Sequence, residues 1–169
     1  MPCHSTAIAN VFLRRAHRDE KPLTQMQLQK LVYIAHGWNL AISRAPLTDD
    51  SPRAWDYGPV YPDLWSALRK YGRGAVTSLI KVGDYGAGIF QDDAESVINA
   101  ALSNDETDLI DRIYDLYSDY HAYQLSAMTH QDGTPWHNVY VTMKNIKGKI
   151  SNNSIREHFV ELAQTRQPA

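Results

Sequence analysis

The stretch from Leu23 to Ser43, LTQMQLQKLVYIAHGWNLAIS, decides the fold. It opens on a capping box. The Thr24 hydroxyl is placed to accept from the first helical turn, and Gln27, three residues on, can reach back to the Thr24 amide. Beyond it Leu28, Leu31, Val32, Ala35, Trp38 and Ile42 recur at helical period and form one apolar face. Tyr33, Ile34 and Leu40 fall outside that face and broaden it. A helix that is apolar over most of its circumference belongs at the centre of a core, buried on more than one side.

The flanks extend this helical reading. Upstream, Ile8, Val11, Phe12 and Arg15 share a stripe in a predicted helix from Ser5 to Arg18, which Pro22 stops. Downstream, residues 44–62 break the pattern with Pro46, Asp49, Asp50, Ser51 and Pro52. Arg53 to Tyr57 reads as a short strand, with Gly58-Pro59 turning the chain. Leu64, Trp65, Leu68 and Tyr71 resume helical spacing up to Gly72. Leu79–Val82 and Gly88–Gln91 flank Gly83-Asp-Tyr-Gly86 and read as a small antiparallel hairpin.

Further helices are predicted at Asp93–Leu102, carrying Val97, Ile98 and Ala101, and after a second capping box at Ser103–Glu106. The apolar side of the latter is Leu109, Ile113, Leu116, Tyr117 and Tyr120. A shorter helix follows from His121 to His130. Thr134 then caps a helix with Pro135 at its first position and Trp136, Val139, Tyr140 and Met143 behind it. A third box, Ser154–Glu157, opens a last helix with Ile155, His158, Phe159 and Leu162. The fold class expected is mainly α: one compact helical domain over residues 1–169, with a small antiparallel β element in the middle.

Composition bounds the function. Of 169 residues 43% are hydrophobic and 21% charged, and the formal net charge is −2, the profile of a folded globular chain. Nucleic-acid binding draws its affinity from phosphate neutralisation and needs a basic face. The short clusters Arg14, Arg15, Arg18, Lys21 and Lys144, Lys147, Lys149 read instead as solvated surface, so a nucleic-acid partner is not expected. No run approaches the ~20 apolar residues of a membrane span, and the expected compartment is the cytoplasm. Cys3 is the single cysteine, which excludes an intramolecular disulfide, and it sits near a terminus expected to be mobile.

Candidate chemistry is sparse. Gly83, Gly86 and Gly88 have the wrong order and context for a phosphate loop and fit a hairpin turn. His130 and His137 flank Gly133-Thr-Pro-Trp136, but Cys3, His4, His36 and His121 add no ligand spacing, so no metal is expected. No nucleophile motif occurs, and the adjacent carboxylates Asp49, Asp50 and Asp92, Asp93 fall in turns. Neither enzymatic activity nor a cofactor is expected. The segment from Trp55 to Pro62, WDYGPVYP, is rigid and aromatic. It suits either a protein-recognition loop or, with greater weight, a corner that tucks Trp55 into the core.

Taken together, Leu23–Trp38, Ala54–Pro62, and Leu125–His130 with Pro135-Trp136 resemble the Panacea domain, the SocA-like, phage-associated antitoxin family, over residues 5–160. The resemblance implies an antitoxin of a two-gene module that neutralises a cognate protein toxin by direct binding. As an alternative it implies an adaptor that delivers the toxin to the ClpXP protease. An enzyme or a nucleic-acid-binding regulator ranks below both. The motif residues Leu28, Lys30, Leu31, Trp38, Trp55, Tyr57, Gly58, Pro59, Val60, His130, Pro135 and Trp136 are then expected to be scaffold. The family motif does not fix the toxin-contacting residues.

Overall fold

The Thr24 box forms as expected: the Gln27 amide donates to Thr24 Oγ1 at 3.3 Å, and the Thr24 amide donates to Gln27 Oε1 at 2.8 Å. A cap of this kind is worth about 1 kcal/mol and starts α2 (Gln25–Ser43). In the computed structural model, which describes residues 1–85 and 93–166, α2 is the central element. It touches α1 (Ser5–Arg18), α3 (Pro62–Leu68), α4 (Asn104–Tyr117), α5 (Ala122–Thr129) and α7 (Asn152–Arg166). Leu28, Leu31, Val32, Tyr33, Ile34, Ala35 and Leu40 are all buried. Ile42 is exposed: the last turn of α2 overhangs its neighbours and ends at Arg44, a left-handed cap with φ 61°.

The most extensive packing joins α2 to α7. Gly37 lies under the Phe159 ring, so close that a Cβ there would collide with the ring carbons. The Trp38 and Tyr33 rings meet Phe159 edge to face. Helix α7 does not begin at the expected box. Ser151, three residues earlier, is the cap, accepting from the Ser154 amide at 3.2 Å. Its position is set by Ile150, which is fully buried and donates its amide to Pro52 O at 3.0 Å.

Helix α1 lies against α2, α3 and α4. Arg15 reaches Asp111 at 2.9 Å and Asp115 at 2.8 Å on α4, and Lys21 reaches Asp119 at 2.6 Å. Part of the first basic cluster is therefore neutralised, not simply solvated. The N-terminus is fixed as well. The Cys3 amide donates to Leu47 O at 3.0 Å and its carbonyl accepts from the Asp49 amide at 2.9 Å.

One expectation fails between residues 79 and 102: Asp93–Leu102 is not a helix. Lys81 bridges Val97 antiparallel, Val82–Tyr85 is a 3-10 turn, and the second strand of the expected hairpin, Gly88–Gln91, lies outside the described residues. The cause is Asn10 on α1. Its Nδ2 donates to Ile80 O (2.9 Å) and Ile98 O (2.8 Å), and its Oδ1 accepts from the Ile80 amide (2.7 Å). A buried amide that satisfies this backbone outweighs the weak local helical preference of 93–102.

Helix α4 starts at the Ser103–Glu106 box but turns a different face inward. Ile110, Ile113, Tyr114 and Tyr117 are buried, whereas Leu116 and Tyr120 are exposed. Thr134 caps α6 (Pro135–His137), whose continuation, Asn138–Thr142, is wound as a π-helix. Val139 is buried on it, and Met143, just beyond, is exposed. Among the described residues there are seven α-helices and one two-stranded sheet, and no helix is long and apolar enough to cross a membrane.

Candidate functional site

The β element of the middle lies at Arg53–Trp55 (β1) and Gly58–Val60 (β2), antiparallel with Arg53 opposite Val60, Ala54 opposite Pro59 and Trp55 opposite Gly58. Gly58-Pro59 is thus a strand, and the turn falls on Asp56-Tyr57. Gly58 has φ 108°, a conformation glycine adopts cheaply. A Cβ there would lie 2.9 Å from Lys30 Nζ and 3.2 Å from Thr129 Oγ1. Both backbone conformation and space require glycine.

The reason for that close approach is a set of side chains that claim the hairpin's carbonyls one after another. Lys30 Nζ on α2 donates to Pro59 O at 2.8 Å. Its neighbour Gln29 donates to Tyr61 O at 3.1 Å and accepts from the Tyr61 amide at 2.8 Å. Ser126 on α5 donates to Tyr57 O at 2.6 Å. The Trp136 indole on α6 donates to Trp55 O at 2.6 Å. The Tyr140 hydroxyl donates to Asp56 Oδ1 at 2.6 Å. Each such bond contributes about 1 kcal/mol net, and together they hold the hairpin to three helices.

Lys30 is fully buried, and that burial pushes its amine down to about 7. A lysine with a lowered pKa marks a functional-site candidate. Here the amine is sealed from solvent and committed to one carbonyl, so its role is to position the hairpin. His36, further along α2, is also buried. Its Nδ1 accepts from the Leu47 and Thr48 amides at 3.2 Å each, and its Nε2 lies 2.9 Å from Asn152 Oδ1. Burial pulls it down to about 4, against the smaller opposing effect of Asn152.

Most of the motif residues therefore meet in one place: Lys30, Trp55, Tyr57, Gly58, Pro59, Val60 and Trp136 form the hairpin and its cradle. His130 joins them, its ring 5.3 Å from that of Trp136 and its Nδ1 3.3 Å from Ser126 Oγ. Pro135 starts the short helix that presents Trp136. Leu28 and Leu31 lie in the core, and Trp38 stands apart against Phe159 on α7. Gln29, Ser126 and Tyr140 do not stand out in the sequence as site residues. The one signal available is Gln29 beside Lys30, two polar residues inside an apolar helix, since buried polar groups need partners.

The aromatic loop divides between its two readings. Trp55 is half-buried and meets Trp65 of α3 edge to face at 5.5 Å, whereas Tyr57 at the tip is 66% exposed. Of the histidines flanking Trp136, His130 lies against Ser126 and His137 lies 3.3 Å from Asp132. A different trio, His4, Asp49 and Asp50, brings ligand-type atoms within 4.8 Å of one another. Its best-held member is structural: Asp50 accepts from the Ser5 amide (2.8 Å) and hydroxyl (2.5 Å) at the start of α1, and His4 reaches Asp63 at 3.1 Å. A cleft of about 270 Å³ lies between α2, α5 and α7, lined by Trp38, Met128, His158 and Phe159 among others.

Comparison with known proteins places this arrangement. The family model described as antitoxin SocA-like, Panacea domain, matches residues 28–137, which include Gln29, Lys30, the whole hairpin, Ser126 and Trp136. The chain is similar to the protein named antitoxin SocA of Caulobacter vibrioides (strain NA1000 / CB15N), with 28% identity over 130 residues. That alignment covers 77% of this chain and 66% of the relative, just under two thirds of the relative's length. No solved structure matches. The family model spans well over half of the chain, from the cradle on α2 to the tryptophan that holds the hairpin tip, and the chain belongs to the SocA-like Panacea-domain antitoxin family.

Proposed function

We propose that this chain is a cytoplasmic antitoxin that neutralises a cognate protein toxin by binding it directly, and that it catalyses no reaction. The observation that carries the reading is the use made of the polar residues around the hairpin. Lys30, Ser126 and Trp136 each commit a hydrogen bond to a hairpin carbonyl. Catalysis needs such groups turned toward a substrate; a binding scaffold needs them turned inward to fix a surface. Neutralisation then requires only coverage of the toxin's working surface. A stable complex buries roughly 1,200–2,000 Å² in total, a small part of the 9440 Å² surface of this protein. Neither a nucleic acid nor a membrane enters the reading.

The test is co-expression with the protein encoded beside it. Restored growth, with both proteins eluting as one stoichiometric complex in size-exclusion chromatography, is the expected result. Continued toxicity with both proteins fully expressed overturns it. Growth restored without co-elution, with a toxin half-life that shortens only when ClpXP is present, replaces sequestration with delivery to the protease.

A further inference from the structure

Side chains from the hairpin and two other segments form a continuous row. Lys147 Nζ lies 5.6 Å from the centre of the Trp55 ring. Trp55 meets Trp65 at 5.5 Å and an interplanar angle of 61°. The Arg69 guanidinium lies 5.7 Å from the centre of the Trp65 ring. Arg53 flanks the row, donating to Lys147 O at 3.2 Å and bridging Lys149 through the backbone. Trp65 is 37% exposed, and Ile146, next to Lys147, is 61% exposed.

Arg15, Lys21, Lys70 and Lys81 each reach a carboxylate. Among the described residues Arg53, Arg69, Lys147 and Lys149 form no ion pair; Arg69 and Lys147 sit on indole rings and Arg53 on a carbonyl. The nearby carboxylates are engaged elsewhere: Asp56 with Tyr140, Asp50 and Asp63 with His4. On the Arg53–Lys149 side, Asp49, Asp50 and Asp63 line a shallow depression together with both cations. In a chain of net charge −2, Lys147 and Arg69 thus stand over two adjoining tryptophans without an ion pair, while Arg53 and Lys149 beside them share their depression with three aspartates. Lys147 has φ 63°, a left-handed conformation unfavourable for a side-chain-bearing residue, and its amide donates a hydrogen bond to Ala54 O at 2.7 Å.

We propose that this face is where the toxin docks, and that the toxin presents to it an apolar patch bordered by carboxylates. The inference rests on the antitoxin reading above. Tryptophan and arginine dominate the energetics of protein interfaces because they exclude water over large areas, and complementary charge guides the encounter. A protein surface is favoured over nucleic acid because the chain as a whole is acidic, which opposes a polyanion beyond the face itself.

The experiment compares the wild type with Trp65→Ala, the double variant Arg69→Glu/Lys147→Glu, and Leu116→Ala, an exposed control on α4. Each is titrated against the protein encoded beside this one, with thermal melting to show that every variant is folded. Both face variants are expected to weaken binding at least tenfold, with Leu116→Ala unchanged, and the double variant should flatten the salt dependence. Binding by both within twofold of wild type overturns this site while leaving the antitoxin reading intact. A wild type that does not bind overturns the antitoxin reading itself. Loss, in the double variant, of binding to a fluorescent 20-nucleotide single strand assigns the face to nucleic acid and overturns the proposal. A wild-type dimer dispersed by the double variant assigns it to a second copy and overturns it equally.

Discussion

Lys30 Nζ and the carbonyl oxygen of Pro59 are 2.8 Å apart in a fully buried site with no carboxylate bonded to the amine. The amine therefore has a polar partner but no counter-charge, and burial alone pulls it down to about 7. In the unfolded chain it titrates near 10.5. Between those values the unfolded chain holds a proton that the folded protein has released, so folding is favoured as pH rises. Stability to urea should increase from pH 7 to pH 9 by on the order of 2 kcal/mol from this residue. Lys30→Met should remove that increase, which a pair of urea titrations per protein will check.

His36 gives the opposite end of the profile. Its folded value of about 4 lies below the ordinary 6.5, so its contribution is complete above pH 6.5 and is lost as pH falls toward 4. The loss should approach about 3 kcal/mol, because each tenfold change in acidity between the folded and unfolded chain corresponds to roughly 1.4 kcal/mol. The imidazole proton signals followed by NMR should show His36 neutral at pH 5, where an exposed histidine is charged.

Gly37→Ala should destabilise the protein by about 1–3 kcal/mol, the usual cost of overpacking a filled core, because the new methyl meets the Phe159 ring. Phe159→Ala removes the obstacle. The double variant should then be more stable than the sum of the two single losses implies, a coupling that a double-mutant cycle in urea measures directly.

Asn10→Ala strands the Ile80 amide and leaves the Ile80 and Ile98 carbonyls without their side-chain partner. Loss of buried partners costs about 1–3 kcal/mol each at most. The expected signature is local: amide exchange should accelerate around residues 80–82 and 96–98 before it does in α2.

How much of this was legible follows the range of each interaction. The Thr24 and Ser103 boxes could be read because cap and partner lie three residues apart. The α7 cap could not, since Ser151 and Ser154 compete locally and burial of Ile150 decides between them. The loss of the 93–102 helix was invisible because the deciding side chain, Asn10, lies 70 and 88 residues from the carbonyls it binds. The same holds at the site. Resemblance named Lys30, Gly58, Pro59 and Trp136, but only the fold shows that the lysine and the tryptophan hold the hairpin's carbonyls, and it adds Gln29, Ser126 and Tyr140. The misplaced turn has the same origin: Gly58-Pro59 is a common turn dipeptide, yet the glycine is there to admit Lys30.

The bonding of the hairpin also restricts how anything can attach to it. Along β1, the Ala54 amide and carbonyl are taken by Gly148 O and the Lys147 amide. Along β2, proline has no amide to offer, and the Pro59 carbonyl and Tyr61 amide are taken by Lys30 and Gln29. Both borders of the sheet are closed to an incoming strand. Edge-to-edge pairing, the usual route to β-mediated aggregation and to strand-addition recognition, is not available here, so one backbone can carry different outward side chains without becoming self-adhesive.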